Sequence, residues 1–488
     1  MEDDSPSPAL ARPEPPLRPE ARPEPRAVWP EPAWPAPPGA FTPAPPFEVV
    51  NPPASFAPPP ARGVSRKAVG VSAGVLALAV AVSTGIIAFA PGRSEPSTAP
   101  VPAAEAGAKP PATPFEQAEA SLQQQTAALL KGDQKGWLAA VDPKSRMLQS
   151  RYRTMFTSLR GLGVSQFEYH AYQRDGGKGT TVLMGVSAAF CLSRPTCPEF
   201  NSSSDTGPPR AEQALTLKPV GGRYVITSLS NIKEPNYLQP MPWESGDLVF
   251  ERGRRVTVAA TPKQAKNLKR VLAVAEKAAV INDRYAAFVG NPQQRYRVYL
   301  ADDKVWKSWY GGIEDKWTVA YAVPLNNAGT DVVLRMSELS DKRLLETTVQ
   351  HELGHVVTVG GVSTRDFGQD QWLSEGVAEY IGWAPRHAKD SWRRQGVRNA
   401  FRKARKPKTI AASALADDAS DKAGDQFYGL AHFAIDCMAQ TYGERKLFEF
   451  VKLTLREDNT YDMASREAYG LPFATVDKGC LTWIKKTA

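Results

Sequence analysis

The sequence contains few histidine, cysteine and methionine residues: five, four and eight in 488. Charged residues make up only 23%, and one uncharged apolar run, residues 68–90, is long enough to cross a membrane. Together, 42% apolar and 23% charged residues exclude a wholly disordered chain and a protein with several membrane spans. The chain is too long for one ordinary core, so we expect two or more folded units.

The excess of positive charge is confined to one segment of the chain. The net charge is +9, and the segment Pro385–Lys408 alone carries ten Lys and Arg against one acid, Asp390. Because the rest of the chain is close to neutral, we do not expect nucleic acid as a partner. The basic segment is either a solvated helix face or a surface for anionic lipid or anionic wall polymer, and the sequence leaves both open.

Proline is scarce outside two regions, because 28 of the 43 prolines lie in residues 1–66 and 91–114. This distribution predicts a disordered Pro-rich tail over residues 1–66 and a Pro/Ala linker over residues 91–114. The tail repeats RPEP amid PxxP spacings. It is therefore either a solvated spacer or a ligand for a partner that binds proline motifs on the cytoplasmic side.

The uncharged run Ala68–Ala90 predicts a transmembrane helix rather than a buried core helix, because the Pro-rich segments around it supply no core. Arg62, Arg66 and Lys67 precede it, whereas Arg93 alone follows closely. The positive-inside rule then places the N-terminus in the cytoplasm. We expect a single-pass protein of the cell membrane whose later domains are extracellular.

All four cysteines follow this run, which suits an oxidising exterior. Cys191 and Cys197 bracket a tight loop that is compatible with a local disulfide. Cys437 with Cys480 would link C-terminal helices. The alternative is four buried free thiols.

Residues 115–235 predict a small α+β domain. Helices are expected over Phe115–Leu130 and Gly132–Val141, and strands over Phe167–Arg174, Thr180–Cys191, Glu212–Pro219 and Arg223–Ser230. Helices followed by an antiparallel sheet resemble the nuclear-transport-factor-2-like (NTF2-like) fold. No catalytic constellation stands out here, and His170, on a probable strand, is interpreted as structural.

Residues 245–488 predict a second α+β domain with strands first and helices last. We expect strands around the turn Glu251–Arg254, a helix over Pro262–Phe288, strands over Arg295–Leu300, Trp317–Val323 and Asp331–Arg335, and helices from Asp341 onward. One of the last two strands should form the sheet edge that pairs with an extended substrate.

The sharpest signal is the pentapeptide HELGH, from His351 to His355. Residues i and i+4 share one face of a helix, so both imidazoles can reach one metal ion, with Glu352 beside the remaining coordination position. Leu345, Val349 and Leu353 recur at helical spacing around it. With five histidines in the chain, this pattern is rare by chance.

Two histidines hold a catalytic zinc poorly, so a third ligand is required. Downstream stands WLSEGVAEY, residues 372–380, with nineteen residues between His355 and Glu375. Together HELGH and WLSEGVAEY resemble the glutamate zincins, the metallopeptidase clan that includes thermolysin and aminopeptidase N. The resemblance implies a zincin-like fold over residues 245–488, one Zn²⁺ per chain, and Glu375 as the third ligand. The metzincin pattern fails because Gly361 stands where its third histidine is required.

The same resemblance suggests two further roles. Glu379 would orient a ligand histidine, or else be a solvated helix acid. Tyr428, fifteen residues before Gly443, would stabilise the oxyanion, or else be a core residue. His432, one turn later, either faces the same cleft or packs.

These observations predict a membrane-anchored zinc peptidase that hydrolyses a peptide or protein substrate, with Glu352 as general base. The G-x-M-x-N segment that anchors a free amine in aminopeptidases is absent, which favours an endopeptidase. The alternative is a catalytically inactive zincin-like scaffold or binding protein at the cell surface. The intact HExxH and Glu set argues against it, because a scaffold has no need for Glu352.

Overall fold

The computed structural model describes residues 112–194, 196–200, 207–232, 238–313, 318–362, 370–402, 406–416 and 419–488. The predicted Pro-rich tail, the membrane helix over 68–90 and the linker up to residue 111 lie outside them. In the part of the chain that is described, no helix combines the length and the apolar character that a membrane crossing requires. The chain divides into two compact units, Met1–Val101 and Pro102–Ala488, and the fold below belongs to the second.

The fold is α+β with two sheets, as predicted. Its first part contains helices α1 (Pro114–Lys131), α2 (Gln134–Ala139) and α3 (Arg146–Leu162), then strands β1 (Val164–Gln173), β2 (Val182–Leu192), β3 (Arg210–Val220) and β4 (Arg223–Asn231). The four strands form an antiparallel meander in chain order.

Local capping explains where these helices begin and end. Thr113 and Glu116 form a capping box at the start of α1, and Gly132, with φ of 78°, ends it. The sequence prediction omitted α3 altogether. Its signals were present: the Ser145 side chain accepts from the Leu148 amide, and buried apolar residues follow at helical spacing.

The second part begins with a short helix, α4 (Pro242–Ser245). The following elements are β5 (Val249–Arg252), β6 (Val256–Ala260), α5 (Leu268–Phe288), β7 (Tyr296–Ala301), α6 (Asp303–Trp306), β8 (Ala320–Pro324), β9 (Thr330–Arg335), α7 (Lys342–Thr358), α8 (Gln371–Trp383), α9 (Arg394–Arg402), α10 (Asp421–Tyr442), α11 (Glu444–Val451), α12 (Tyr461–Tyr469) and α13 (Phe473–Thr487). The helix predicted over Pro262–Phe288 was placed too early, because residues Pro262–Asn267 form a 3₁₀ turn that Pro262 opens.

The second sheet has the order β5-β6-β7-β9-β8. Strands β6, β7 and β9 run parallel, whereas β5 and β8 pair antiparallel with their neighbours. Strand β8 is therefore an edge of this sheet. This confirms that one of the two predicted strands, Trp317–Val323 or Asp331–Arg335, forms a sheet edge. Its register pairs Ala320 with Leu334 and Pro324 with Thr330.

The two faces of this sheet are buried in different cores. On β7, Val298 and Leu300 belong to the core that includes α5 and α7, whereas Tyr299 and Ala301 belong to the core of the first part, together with Trp243. This alternation follows from the two-residue period of a strand. The two predicted domains therefore share a packed boundary rather than lying apart on a linker.

Both predicted disulfides are present. Cys191 is bonded to Cys197, and Cys437 of α10 is bonded to Cys480 of α13. No free cysteine remains, so the alternative of four buried thiols is wrong.

Candidate metal centre

Helices α7 and α8 carry the HELGH and WLSEG motifs, and they pack closely. Asp341 caps α7 by accepting from the Leu344 amide. Gln350 of α7 donates to the backbone oxygens of Ile381 and Ala384, at 2.6 and 3.0 Å. A methyl group at Gly382 would lie 3.0 Å from the His351 Cβ, so glycine permits this approach. Because of this packing, the face of α7 that carries HELGH and the face of α8 that carries WLSEG meet at one point.

Three predicted ligands meet at that point. The Nε2 atoms of His351 and His355 are 3.1 Å apart, and Glu375 Oε2 lies 3.4 Å from each. Ligands about 2.05 Å from one zinc ion at tetrahedral angles are themselves about 3.3 Å apart. The spacing of the three donor atoms therefore fits a single zinc ion, and these are the residues that group as metal ligands in the described part of the chain.

The electrostatics of this group favour a cation at its centre. Burial by itself would lower the pKa of His351, but hydrogen bonds to Glu375 and Glu379 outweigh it and raise that pKa to about 10. Burial acts to raise the pKa of Glu375, but the charge of His355 and hydrogen bonds from both histidines hold it well below its usual value. His351 thus holds a proton strongly while Glu375 stays negatively charged, and a divalent cation would meet the same demand for positive charge.

Glu352 lies beside the three ligands and is not one of them. Its carboxylate is buried, and it lines both cavities that open at the site. Burial raises its pKa, against the opposing charges of His351 and His355. A carboxylate with a raised pKa at this position is suited to accept and return a proton.

Each of the two candidate ligand histidines has a polar side chain beside its Nδ1 atom. His351 Nδ1 lies 3.4 Å from Glu379 Oε1, and His355 Nδ1 lies 3.4 Å from Ser374 Oγ. A proton on each Nδ1 leaves the Nε2 lone pair free for a metal. Glu379 thus lies where the sequence analysis placed it, and its 4% exposure contradicts a solvated helix acid. Ser374 was missed, although its position directly before Glu375 was a usable signal.

Arg393 was also missed. Its guanidinium donates to Glu379 and lies 5.3 Å above the centre of the Tyr428 ring. Burial acts to raise the pKa of Glu379, but the charge of Arg393 and the hydrogen bond from His351 lower it to about 2. Arg394 and Arg398 donate to the Ala488 backbone oxygen. The basic segment is therefore partly a structural element, and a fully solvated face is the wrong description.

Tyr428 of α10 comes close to the site. Its ring centre lies 6.5 Å from that of His351, and its side chain lines the same cavities as Glu352. Burial raises its pKa well above the ordinary value, so the phenol stays protonated. His432 does not line these cavities; it packs 3.9 Å from Glu379 with 1% exposure, and burial lowers its pKa to about 4.

A cleft runs along strand β8, and the three candidate metal ligands lie near its middle. A cavity of about 590 Å³ extends one way, past Tyr321 and Pro324 to Leu415. A smaller cavity of about 140 Å³ extends the other way, to Trp392 and Arg393. Both are lined by Ala320 of the edge strand, His351, Glu352 and Tyr428. The cleft therefore continues on either side of the candidate metal centre.

No protein-family model matches the sequence. No curated protein is significantly similar to it either. The candidate function therefore depends on the residues and distances described above.

Proposed function

We propose that this chain is a zinc-dependent endopeptidase of the glutamate-zincin type. The observation that carries the proposal is the convergence of His351 Nε2, His355 Nε2 and Glu375 Oε2 to within 3.1–3.4 Å of one another. These three side chains would hold one zinc ion. When bound there, zinc would lower the pKa of a coordinated water from about 15.7 toward 7 and polarise a carbonyl group.

The remaining residues would manage the proton and the substrate. Glu352 would take the proton of the attacking water and pass it to the leaving amine. The protonated Tyr428 hydroxyl would donate to the oxygen that becomes negative in the transition state. Glu379 and Ser374 would hold the ligand imidazoles in the required orientation.

The shape of the cleft supports internal cleavage of an extended chain. Strand β8 is a sheet edge that borders the cleft, so its backbone groups could pair with a peptide. Because the cleft continues on both sides of Glu352, a substrate could pass through it in both directions. This favours an endopeptidase over an enzyme that trims one end.

Our proposal also covers the fold of the first part and the cellular location of the protein. Three helices followed by a four-stranded antiparallel sheet support an NTF2-like description of the first part. The two disulfides support an oxidising compartment for residues 112–488. We also propose that residues 68–90 anchor the chain in the cell membrane, with the N-terminus in the cytoplasm.

Metal analysis combined with a cleavage assay tests this function. The purified full-length chain should hold about one zinc ion, and it should cut a denatured protein at internal positions that mass spectrometry of the fragments can identify. Glu352→Gln serves as the inactive control. A chain that neither contains nor takes up zinc contradicts the metal site. A zinc-loaded chain without cleavage favours the scaffold alternative.

A further inference from the structure

A separate cavity of about 220 Å³ lies where the first part of the fold meets the second sheet. Its walls come from the Cys191–Cys197 loop, the segment before β7, and the turn from β8 into β9. The lining includes Ser193, Arg194, Thr196, Asn291, Arg297, Gly329 and Thr330. This lining is predominantly polar. The proposed peptidase chemistry uses none of these residues, and Thr330 alone among them also borders the 590 Å³ cavity at the candidate metal centre.

Arg297 is the deepest cation in this cavity wall, with 4% exposure. Its Nε donates to Asp331 Oδ1 at 2.5 Å, and its Nη1 donates to the Leu192 oxygen at 3.0 Å. Its Nη2 has no hydrogen-bond partner among the described residues. A buried guanidinium nitrogen without an acceptor is costly, so an acceptor is expected there.

Gly329 leaves room beside this nitrogen. A methyl group at Gly329 would lie 3.2 Å from Arg297 Nη2, and the φ of 117° at this position also disfavours other residues. The adjacent Thr330 Oγ1 is likewise buried and has no hydrogen-bond partner within the described chain. The cavity thus offers a guanidinium N–H and a hydroxyl as donors.

Arg194 adds a second positive charge. Its Nη1 donates to the Asn327 oxygen at 2.8 Å, and the Cys191–Cys197 disulfide closes the loop that carries it. Burial, together with the nearby charge of Arg297, lowers the pKa of Arg194. Among the described residues, the cavity lining contains three arginines, Arg194, Arg295 and Arg297, and no acidic residue. The Asp331 carboxylate pairs with Arg297, so the cavity wall retains a positive charge.

We propose that this cavity binds a small oxyanion, a carboxylate or a phosphate group, through Arg194, Arg297 and Thr330. Guanidinium groups are the side chains best suited to such anions. A bound anion would satisfy Arg297 Nη2 and separate two like charges. It would also join the disulfide loop to β9, so it should stabilise the contact between the two parts of the fold. The inference does not depend on the peptidase proposal.

Thermal unfolding of the full-length chain tests the site directly. Sodium acetate and sodium phosphate are titrated at constant ionic strength, with sodium chloride as the reference salt. We expect a saturable rise in the unfolding temperature with at least one of the two anions, and the anion that acts identifies the chemical class. Arg194→Gln and Thr330→Val should each weaken the apparent affinity, by about tenfold for the arginine.

Arg174→Gln is the matched control, because Arg174 is an exposed arginine of the first part that does not line the cavity. It should bind the anion as the unchanged chain does. Equal affinity in Arg194→Gln and the unchanged chain would overturn the proposal, as would stabilisation no greater than that by chloride. Should Arg194→Gln fail to fold, Thr330→Val decides, since it removes a hydroxyl without changing the size of the side chain.

Discussion

The Arg393 guanidinium donates to both carboxylate oxygens of Glu379, with nitrogen–oxygen distances of 3.0 and 2.9 Å. Glu379 in turn faces His351 Nδ1. A residue from the basic segment therefore holds the carboxylate that would orient a metal ligand in the proposed site. The same guanidinium lies over the Tyr428 ring, so Arg393 contacts both Glu379 and Tyr428.

We therefore expect Arg393→Met to weaken zinc binding by about tenfold or more, in the range for removal of an outer partner of a metal ligand. Zinc retention against a graded chelator measures this. Arg402→Met is the control, since Arg402 is exposed at the end of α9. Arg393→Lys should recover part of the affinity because it keeps the positive charge that faces Glu379. Identical retention in all four proteins would reduce Arg393 to a packing role.

Glu352→Gln and Glu375→Gln should fail in different ways. The amide at position 352 keeps its shape but cannot accept a proton, so zinc should stay while activity disappears. The amide at position 375 is a weaker, uncharged ligand, so zinc affinity should fall. Glu346→Gln, on the same helix as Glu352, is the control. Loss of zinc from Glu352→Gln would show that the two carboxylates have exchanged roles.

Tyr428→Phe should lower the turnover number while the zinc content stays unchanged, because only a transition-state hydrogen bond is removed. The expected cost is about 2–4 kcal/mol in activation free energy, the range for one oxyanion donor. Steady-state kinetics with a cleavable peptide measure it. Tyr442→Phe, at the far end of the same helix, should leave turnover unchanged. Wild-type turnover in Tyr428→Phe would assign Tyr428 to the core.

The two disulfides should differ in their contribution to stability. The Cys437–Cys480 bond closes a loop with a sequence separation of 43, and the Cys191–Cys197 bond closes one of 6. Loop-closure entropy then gives about 4 and about 2 kcal/mol of unfolding free energy. Denaturant unfolding of the two double-alanine variants compares them. A larger loss from the shorter loop would contradict this account.

The sequence predicted the residues whose types and spacing match a known pattern, and it missed Ser374 and Arg393, which approach the other site residues through tertiary contacts. His351, Glu352 and His355 share one helix turn, so their spacing placed them. Glu375 was placed by the resemblance of WLSEGVAEY to the glutamate zincins. Arg393 reaches Glu379 only because α8 and the start of α9 fold back on each other. No local pattern encodes that contact.

The fold shows the same limit. The alternation of apolar and polar residues predicted most strands of both sheets to within a few residues, because successive side chains of a strand point to opposite faces of its sheet. Helix α3 was overlooked, although its apolar residues recur at helical spacing. Tyr299 of the second sheet belongs to the core that includes residues of the first part. Tertiary packing determines this placement, so strand alternation alone could not predict it.

That shared face has a consequence for how the molecule loses its structure. Tyr299 and Ala301 belong to a core that contains residues of both parts, so removing residues 112–231 would take away part of that core and expose apolar surface to water. Hydrogen bonds such as that from Arg297 to the Leu192 oxygen would be lost at the same time. The two parts should therefore melt in one cooperative transition, and a fragment starting at residue 245 should aggregate instead of folding alone.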